Sequence, residues 1–200
     1  MQIRRARHED VPGVARMLGR AFADDPMFLW PLGADDPGAS AERFFLAFDE
    51  RLAELGWLWI SDDGRGVAAW IPAGQAEAMM EIDRSLRPQI AATTDDGGAR
   101  YDAMWEWIAS MLPDEPFWYL DHLAVDPDAR GTGLGTALIR HGLAMADRDG
   151  APAFLETARP GNVGYYERRG FRVIAEDDVP GGGPHLWFMS RSPGSPTVVP

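Results

Sequence analysis

The chain has 200 residues and 46% hydrophobic content, enough for a full core and a length that favours one domain. It has no cysteine, which excludes disulfides, thiolate metal sites and a cysteine nucleophile. The net charge of −12 argues against nucleic acid as the main partner, and because all 19 basic residues are arginines there is no lysine for a P-loop.

No secretory leader pattern opens the chain and no apolar run reaches 18 residues, so a cytoplasmic protein without a membrane partner is expected. Charge is uneven. Residues 21–125 carry 20 acidic and 6 basic side chains, whereas residues 130–172 carry 7 arginines against 4 acids. Two solvated faces would explain this. So would a second half that meets an anion and a first half that meets a cation.

Taken in order, "QIRR" reads as a first strand. "EDVPGVARMLGRAFA" has helical spacing at Val11, Val14, Met17, Leu18 and Phe22, with Asp10 as its cap. "DDPMFLWPL" is expected to break that helix, because a residue before proline avoids helical geometry. "SAERFFLAFDERLAELG" reads as a helix between a Ser40 cap and Gly56. "WLWISDDGRGVAAWIPAG" is a hairpin. Residues 75–112 read as two helical pieces, split by Pro88 and "TTDDGG". "FWYLDHLAV" is a strand, 133–147 a helix ending near Gly150, and "AFLE" a short strand. "NVGYYERRG" is a helix with Gly170 as C-cap, "FRVIAE" and "HLWFMS" are a final strand pair, and 191–200 a flexible tail after a domain of 1–190. The pattern predicts a mixed α/β sheet with helices on both faces.

"DPDARGTGLGTAL" packs three glycines behind an apolar strand and before a helix. Such a turn presents unpaired N–H groups and a partial positive charge, and suits phosphate. The dinucleotide pattern G-x-G-x-x-G fails because its last glycine stands as Thr136. Arg-x-x-Gly-x-Gly is met by Arg130, Gly133 and Gly135. An ordinary glycine-rich turn is the competing explanation.

This strand and turn, followed by "FLETARPGNVGYYERRGF", resemble the acyl-CoA-binding and tyrosine motifs of the GNAT superfamily of N-acetyltransferases. With "AFADDP" and "WISDDGRGVAAW" the likeness extends over most of the chain and is similar to puromycin N-acetyltransferase-like actinobacterial members. It implies the GNAT fold, a largely antiparallel mixed sheet splayed between its fourth and fifth strands. It implies acetyl-CoA as co-substrate, no metal, a small-molecule amine acceptor, and a monomer or homodimer. By the same likeness Arg130, Gly131, Thr132, Gly133, Leu134, Gly135 and Thr136 would hold the pyrophosphate of coenzyme A. Leu123, Ala124 and Val125 would lie along its pantetheine arm, with Asn162 touching the same arm, and Tyr166 would be the general acid beside a packed Tyr165.

Strand alternation puts Tyr119, Asp121, Leu123 and Val125 on one face and Leu120, His122 and Ala124 on the other. The resemblance implies a base on the acceptor-facing side of this strand, the side of Asp121; Asp121 and Glu156 at the end of the next strand are the candidates, with His122 or a water chain as alternatives. Asp24 and Asp25 would attract a cationic amine, and Phe28 and Trp30 would stack on it, unless the acids only stop a helix and the aromatics only fill core. Rival functions are a protein or peptide N-acetyltransferase and a non-catalytic acyl-CoA-binding module.

Overall fold

The computed structural model describes residues 2–33 and 36–195. Among them, seven strands form one sheet in the order β1-β2-β3-β4-β5-β7-β6. They are β1 (Ile3–Arg5), β2 (Leu58–Ser61), β3 (Gly66–Ile71), β4 (Trp118–Val125), β5 (Ala153–Thr157), β6 (Arg172–Asp178) and β7 (His185–Arg191). Every neighbouring pair is antiparallel except β4–β5, which is parallel. The α-helices are α1 (Val11–Phe22), α2 (Pro26–Leu32), α3 (Pro37–Leu55), α4 (Ala76–Thr93), α5 (Ala99–Met111), α6 (Leu134–Asp149) and α7 (Pro160–Glu167). This is the mixed, largely antiparallel sheet with flanking helices that the motif resemblance implies. No helix among the described residues is long and apolar enough to cross a membrane.

Two cores sandwich the sheet. Val67, Ala69 and Ile71 of β3 face Leu18, Phe45 and Leu52 beneath α1 and α3, together with Ile82 and Ile108 of α4 and α5. Ala68 and Trp70 face Leu138, Ile139 and Leu143 of α6, with Tyr166 and Phe171. β3 is buried at every position, so its sequence is a near-continuous apolar run. β6 is the opposite case: an exposed edge strand whose Arg172, Glu176, Asp177 and Asp178 discourage pairing with another chain.

Local expectations differ from the structure at five places. "DDPMFLWPL" does end α1, but its proline then opens α2. Pro26 lies in the first turn, where its missing N–H is no loss, and the Asp25 carboxylate accepts from Met27 N–H at 3.0 Å. α4 runs straight through Pro88, because Ile82, Leu86 and Ile90 fall on one buried face and hold it; only "TTDDGG" separates α4 from α5. The cap of α3 is Asp36, four residues before the expected Ser40, and its carboxylate accepts from the Ala39 N–H at 3.0 Å. Asp10 caps nothing in α1; its carboxylate takes the Arg4 guanidinium at 2.7 and 2.8 Å and the Arg7 N–H at 2.8 Å. At the far end Arg191 belongs to β7, not to a tail, and pairs with Asp147 at 2.7 Å. Of the expected tail, residues 196–200 lie outside the described residues.

α6 lies close to the sheet because Gly142 has no side chain: a Cβ there would sit 1.9 Å from the Trp70 ring. Gly13, in α1, has open space around the same position. Gly142→Ala should therefore destabilise by about 1–3 kcal/mol or more through overpacking, and Gly13→Ala should stabilise by about 0.4–1 kcal/mol. Thermal melts of the two variants should shift in opposite directions. Equal shifts would mean that α6 does not rest on Trp70.

Candidate active site

β4 and β5 pair only at Trp118↔Ala153 and Tyr119↔Phe154. Beyond Tyr119 the two strands part, and the β5-facing edge of β4 has no strand partner. The glycine turn closes the mouth of this opening. Gly131 and Gly133 have φ of +80° and +84°, which favours glycine at both. α6 begins at Leu134, so the N–H groups of Leu134, Gly135 and Thr136 have no carbonyl one turn earlier to meet. A Cβ on Gly131 or Gly133 would meet nothing within 4 Å. Open space above a row of free donors, beside an unpaired strand edge walled by Leu123 and Val125, is a cradle that fits a pyrophosphate with an extended amide arm. Arg130 lines the same groove, and Thr132 closes the turn by donating to the Ala129 carbonyl at 2.7 Å. Thr136 is held by Arg169, and Ala124 faces away into the α1–α3 core.

A second cleft opens on the other side of the parted strands. Leu123, Asn162 and Tyr166 line both. α7 places the last two: it starts at Pro160, two residues before the expected start, and Asn162 Nδ2 donates to Thr157 Oγ1 at 3.2 Å. Burial above all raises the Tyr166 pKa, so the phenol stays protonated. The Tyr165 ring lies 3.4 Å from the Arg169 guanidinium and also lines the glycine-turn groove.

The alternation expected along β4 does not hold. Ala69 pairs with His122 and Trp70 with Leu120, which leaves Asp121 as the extra residue of a bulge. The bulge shifts the faces. Tyr119 and Ala124 lie in the α1–α3 core, with His122 5.0 Å from Phe45, whereas Trp118, Leu120, Leu123 and Val125 lie on the α6 side. His122, expected on the far face, therefore lines the second cleft together with Asp121 and Glu156. Asp121 Oδ1 is 2.8 Å from His122 Nδ1.

Glu156 Oε1 accepts from the Tyr119 hydroxyl at 2.6 Å, and Oε2 is buried without a partner among the described residues. Burial above all, with the Asp121 charge adding and the Tyr119 hydrogen bond opposing, pushes the Glu156 carboxyl up to about 8. Asp49 of α3 was missed by the motif reading. It is fully buried 3.5 Å from His122 Nε2, and burial raises it to about 7. Its signal was available in the periodicity. Asp49 is four residues after Phe45 and three before Leu52, on the core face of an amphipathic helix.

The proposed acceptor residues divide. Asp25 and Phe28 line the second cleft; Asp24 and Trp30 do not. Both aspartates already hold a cation, because Arg159 reaches Asp24 at 2.6 Å and Asp25 at 2.8 Å. Phe28 packs on Phe22, Phe44 and Phe45. Four more acids of the 21–125 stretch hold its own arginines, Asp83 and Asp102 on Arg87 and Asp95 and Asp96 on Arg100.

The raised Glu156 carboxyl has a consequence for stability. Between its ordinary 4.5 and about 8 the folded chain binds this proton more tightly than the unfolded chain. The contribution is full at low pH and is lost as pH rises through about 8. Glu156→Gln cannot ionise, so its melting temperature minus that of the wild type should become more positive from pH 5 to about 9 and then level off. A difference that stays flat with pH would show that the carboxyl is not held neutral.

Comparison with known proteins agrees with this geometry. The acetyltransferase (GNAT) family profile matches residues 20–171. The peptidyl-lysine N-acetyltransferase YjaB of Escherichia coli K12 is 30% identical over 112 residues, covering 45% of this chain and 73% of YjaB. The crystal structure of histone acetyltransferase HPA2 and related acetyltransferase from Corynebacterium glutamicum superposes with a TM-score of 0.71 at 28% identity, over 98% of each chain. Mosquito arylalkylamine N-acetyltransferase like 5b shares the fold, with a TM-score of 0.64 at 20% identity over 96% of this chain and 99% of that one. These relatives are not puromycin acetyltransferases, and that narrower likeness rests on the sequence motifs alone. The parted β4 and β5, the glycine cradle between them and the family match together place the chain in the acetyltransferase (GNAT) family, as an acetyl-transferring enzyme.

Proposed function

We propose that the enzyme moves the acetyl group of acetyl-CoA onto a primary amine of a small, cationic molecule by direct attack in a ternary complex. One observation carries this reading. Leu123, Asn162 and Tyr166 line both clefts, while Asp121 and Glu156 line only the second. Thioester and amine would thus approach from opposite sides and meet at Tyr166. When bound, acetyl-CoA supplies the activated acyl group; the glycine turn and the β4 edge hold and orient it.

The acceptor arrives as an ammonium with a pKa of about 10.4. It has to lose a proton before it can attack. Asp121 is the base in this reading, because Glu156, held up near 8, is mostly protonated at neutral pH. Asp121 receives the proton on the oxygen that His122 does not occupy. Tyr166 donates to the departing sulfur. Its raised pKa keeps the hydroxyl available as a donor across the working range. With no cysteine in the chain, an acyl-thioester on the enzyme is excluded.

The name of the YjaB relative favours a second reading, in which the same cleft takes the lysine side chain of a peptide. A thiol-release screen with acetyl-CoA decides between them. Its panels should be arylalkylamines, polyamines, aminoglycosides, puromycin and lysine peptides. Best turnover on lysine peptides would replace the small-acceptor reading.

Two further outcomes test the assignment of parts. Acetyl-CoA at about 100 times its dissociation constant should stabilise the wild type by roughly 2.7 kcal/mol, about 5–10 °C in melting temperature. Gly133→Asp and Gly135→Asp put a carboxylate where phosphate belongs, and should abolish that shift. No shift in the wild type would remove the cofactor assignment. Tyr166→Phe keeps the ring and should lower turnover by about 10²–10⁴ with acetyl-CoA binding retained. Near-normal turnover in Tyr166→Phe, with a large loss in Tyr165→Phe, would reverse the two tyrosines.

A further inference from the structure

Three titratable side chains stand in a row from the α3 core to the acceptor cleft. Asp49 is at one end, with 0% of its side chain exposed and no hydrogen-bond partner for either oxygen among the described residues. His122 is in the middle, its ring wedged against Phe45 and Phe48. Its Nε2 is 3.5 Å from Asp49 Oδ1, within ion-pair range, and has no other partner among the described residues. Its Nδ1 is 2.8 Å from Asp121 Oδ1, and Asp121 lines the cleft. A carboxyl buried among phenylalanines is costly, and packing alone would be served better by an apolar side chain.

We infer that Asp49 and His122 form a positioning pair for the proton acceptor of the transfer, Asp49 holding the imidazole so that its Nδ1 proton fixes one Asp121 oxygen and leaves the other to the acceptor amine. This rests on the reading of Asp121 as the base. An ionised Asp121 can only accept, so the ring nitrogen facing it carries the proton. The second proton lies on His122 Nε2, so that the ring is an imidazolium facing the Asp49 carboxylate on one side and Asp121 on the other. Burial raises Asp49 to about 7; burial opposes the His122 cation, but Asp49 and the Asp121 hydrogen bond outweigh it. The elements around this ring bring Asp49 from α3, Phe22 from α1, Asp25 from the start of α2, Tyr101 from α5, Asp121 on β4 itself and Glu156 from β5. In the transfer an N–H bond of the ammonium breaks and an O–H bond on Asp121 forms; the C–N bond then replaces the C–S bond, Tyr166 protonates the sulfur, and the second proton lost by the nitrogen restores the Tyr166 hydroxyl. The Asp121 proton is the net one released. That proton returns to solvent as the product leaves.

The test pairs a titration with kinetics on the full chain. The imidazole ¹⁵N resonances of His122 are followed against pH in wild type and in Asp49→Asn, without substrate. The pair requires a wild-type midpoint above the ordinary 6.5. It also requires a downward shift in Asp49→Asn, on the order of one pH unit or more. In turnover, Asp49→Asn should retain its melting temperature and its KM for acetyl-CoA. Its kcat should fall on the order of 10–100-fold, the loss typical of outer orienting partners. The acidic limb of its kcat/KM profile should move to higher pH, because the imidazolium no longer stands beside the base. His122→Gln should show the same kcat loss, and serves if Asp49→Asn does not fold. A wild-type His122 midpoint at or below 6.5, or Asp49→Asn activity within threefold of wild type with an unmoved limb, overturns the inference. If the wild type acetylates no amine at all, the proposed function fails on its own account. The His122 titration still decides whether the pair exists.

Discussion

The site depends on one broken pairing. β4 and β5 are neighbours in the sheet but share only two residue pairs, and past Tyr119 the backbone donors and acceptors on the β5-facing edge of β4 lack a strand partner. Unpaired backbone groups in an interior are costly unless something else meets them. A sheet that leaves them open at its centre, with helices over both faces, has built a slot for an extended polar chain. The glycine turn sits at the mouth of that slot because α6 must start there to cover the second core, and its free N–H groups point where β4 has ended.

The same strand carries the second device, the bulge at Asp121. One extra residue moves His122 onto the acceptor side and presents Asp121 at the point where the strands diverge. It also sets His122 toward α3, 3.5 Å from Asp49. The chemistry of the cleft is then set by burial. Glu156 and Asp49 are both pushed toward neutrality, and Asp121 keeps its place through an imidazole. Three carboxyls in one region have three environments, which is how like groups come to serve different ends.

Several acids of the first half pair with arginines of the same stretch, and Asp24 and Asp25 pair with Arg159 of the second half. That last contact joins the α1–α2 connection to the start of α7, the helix that carries Tyr166. Net charge counts groups without their partners and so says little about what a cleft will bind.

Much of the molecule was legible in the amino-acid sequence by itself. The order of strands and helices follows from patterns that are local in the chain, and the parted sheet from the resemblance that its glycine-turn and tyrosine motifs carry. Local signals failed where the outcome is settled by something distant. Pro88 stays helical because Ile82, Leu86 and Ile90 are anchored in a core that "RSLRPQI" does not reveal. Pro26 starts a helix rather than only ending one because Asp25 is free to cap it. The face on which His122 lies was decided by the register between β3 and β4, a long-range pairing in which one inserted residue reverses every side chain after it. Asp49 became part of the site only when α3 docked on β4 and brought a carboxyl and an imidazole 73 positions apart in the chain to within 3.5 Å. Sequence specifies what each segment can do with its near neighbours. The cleft is made by contacts between segments, and only the folded chain chooses those.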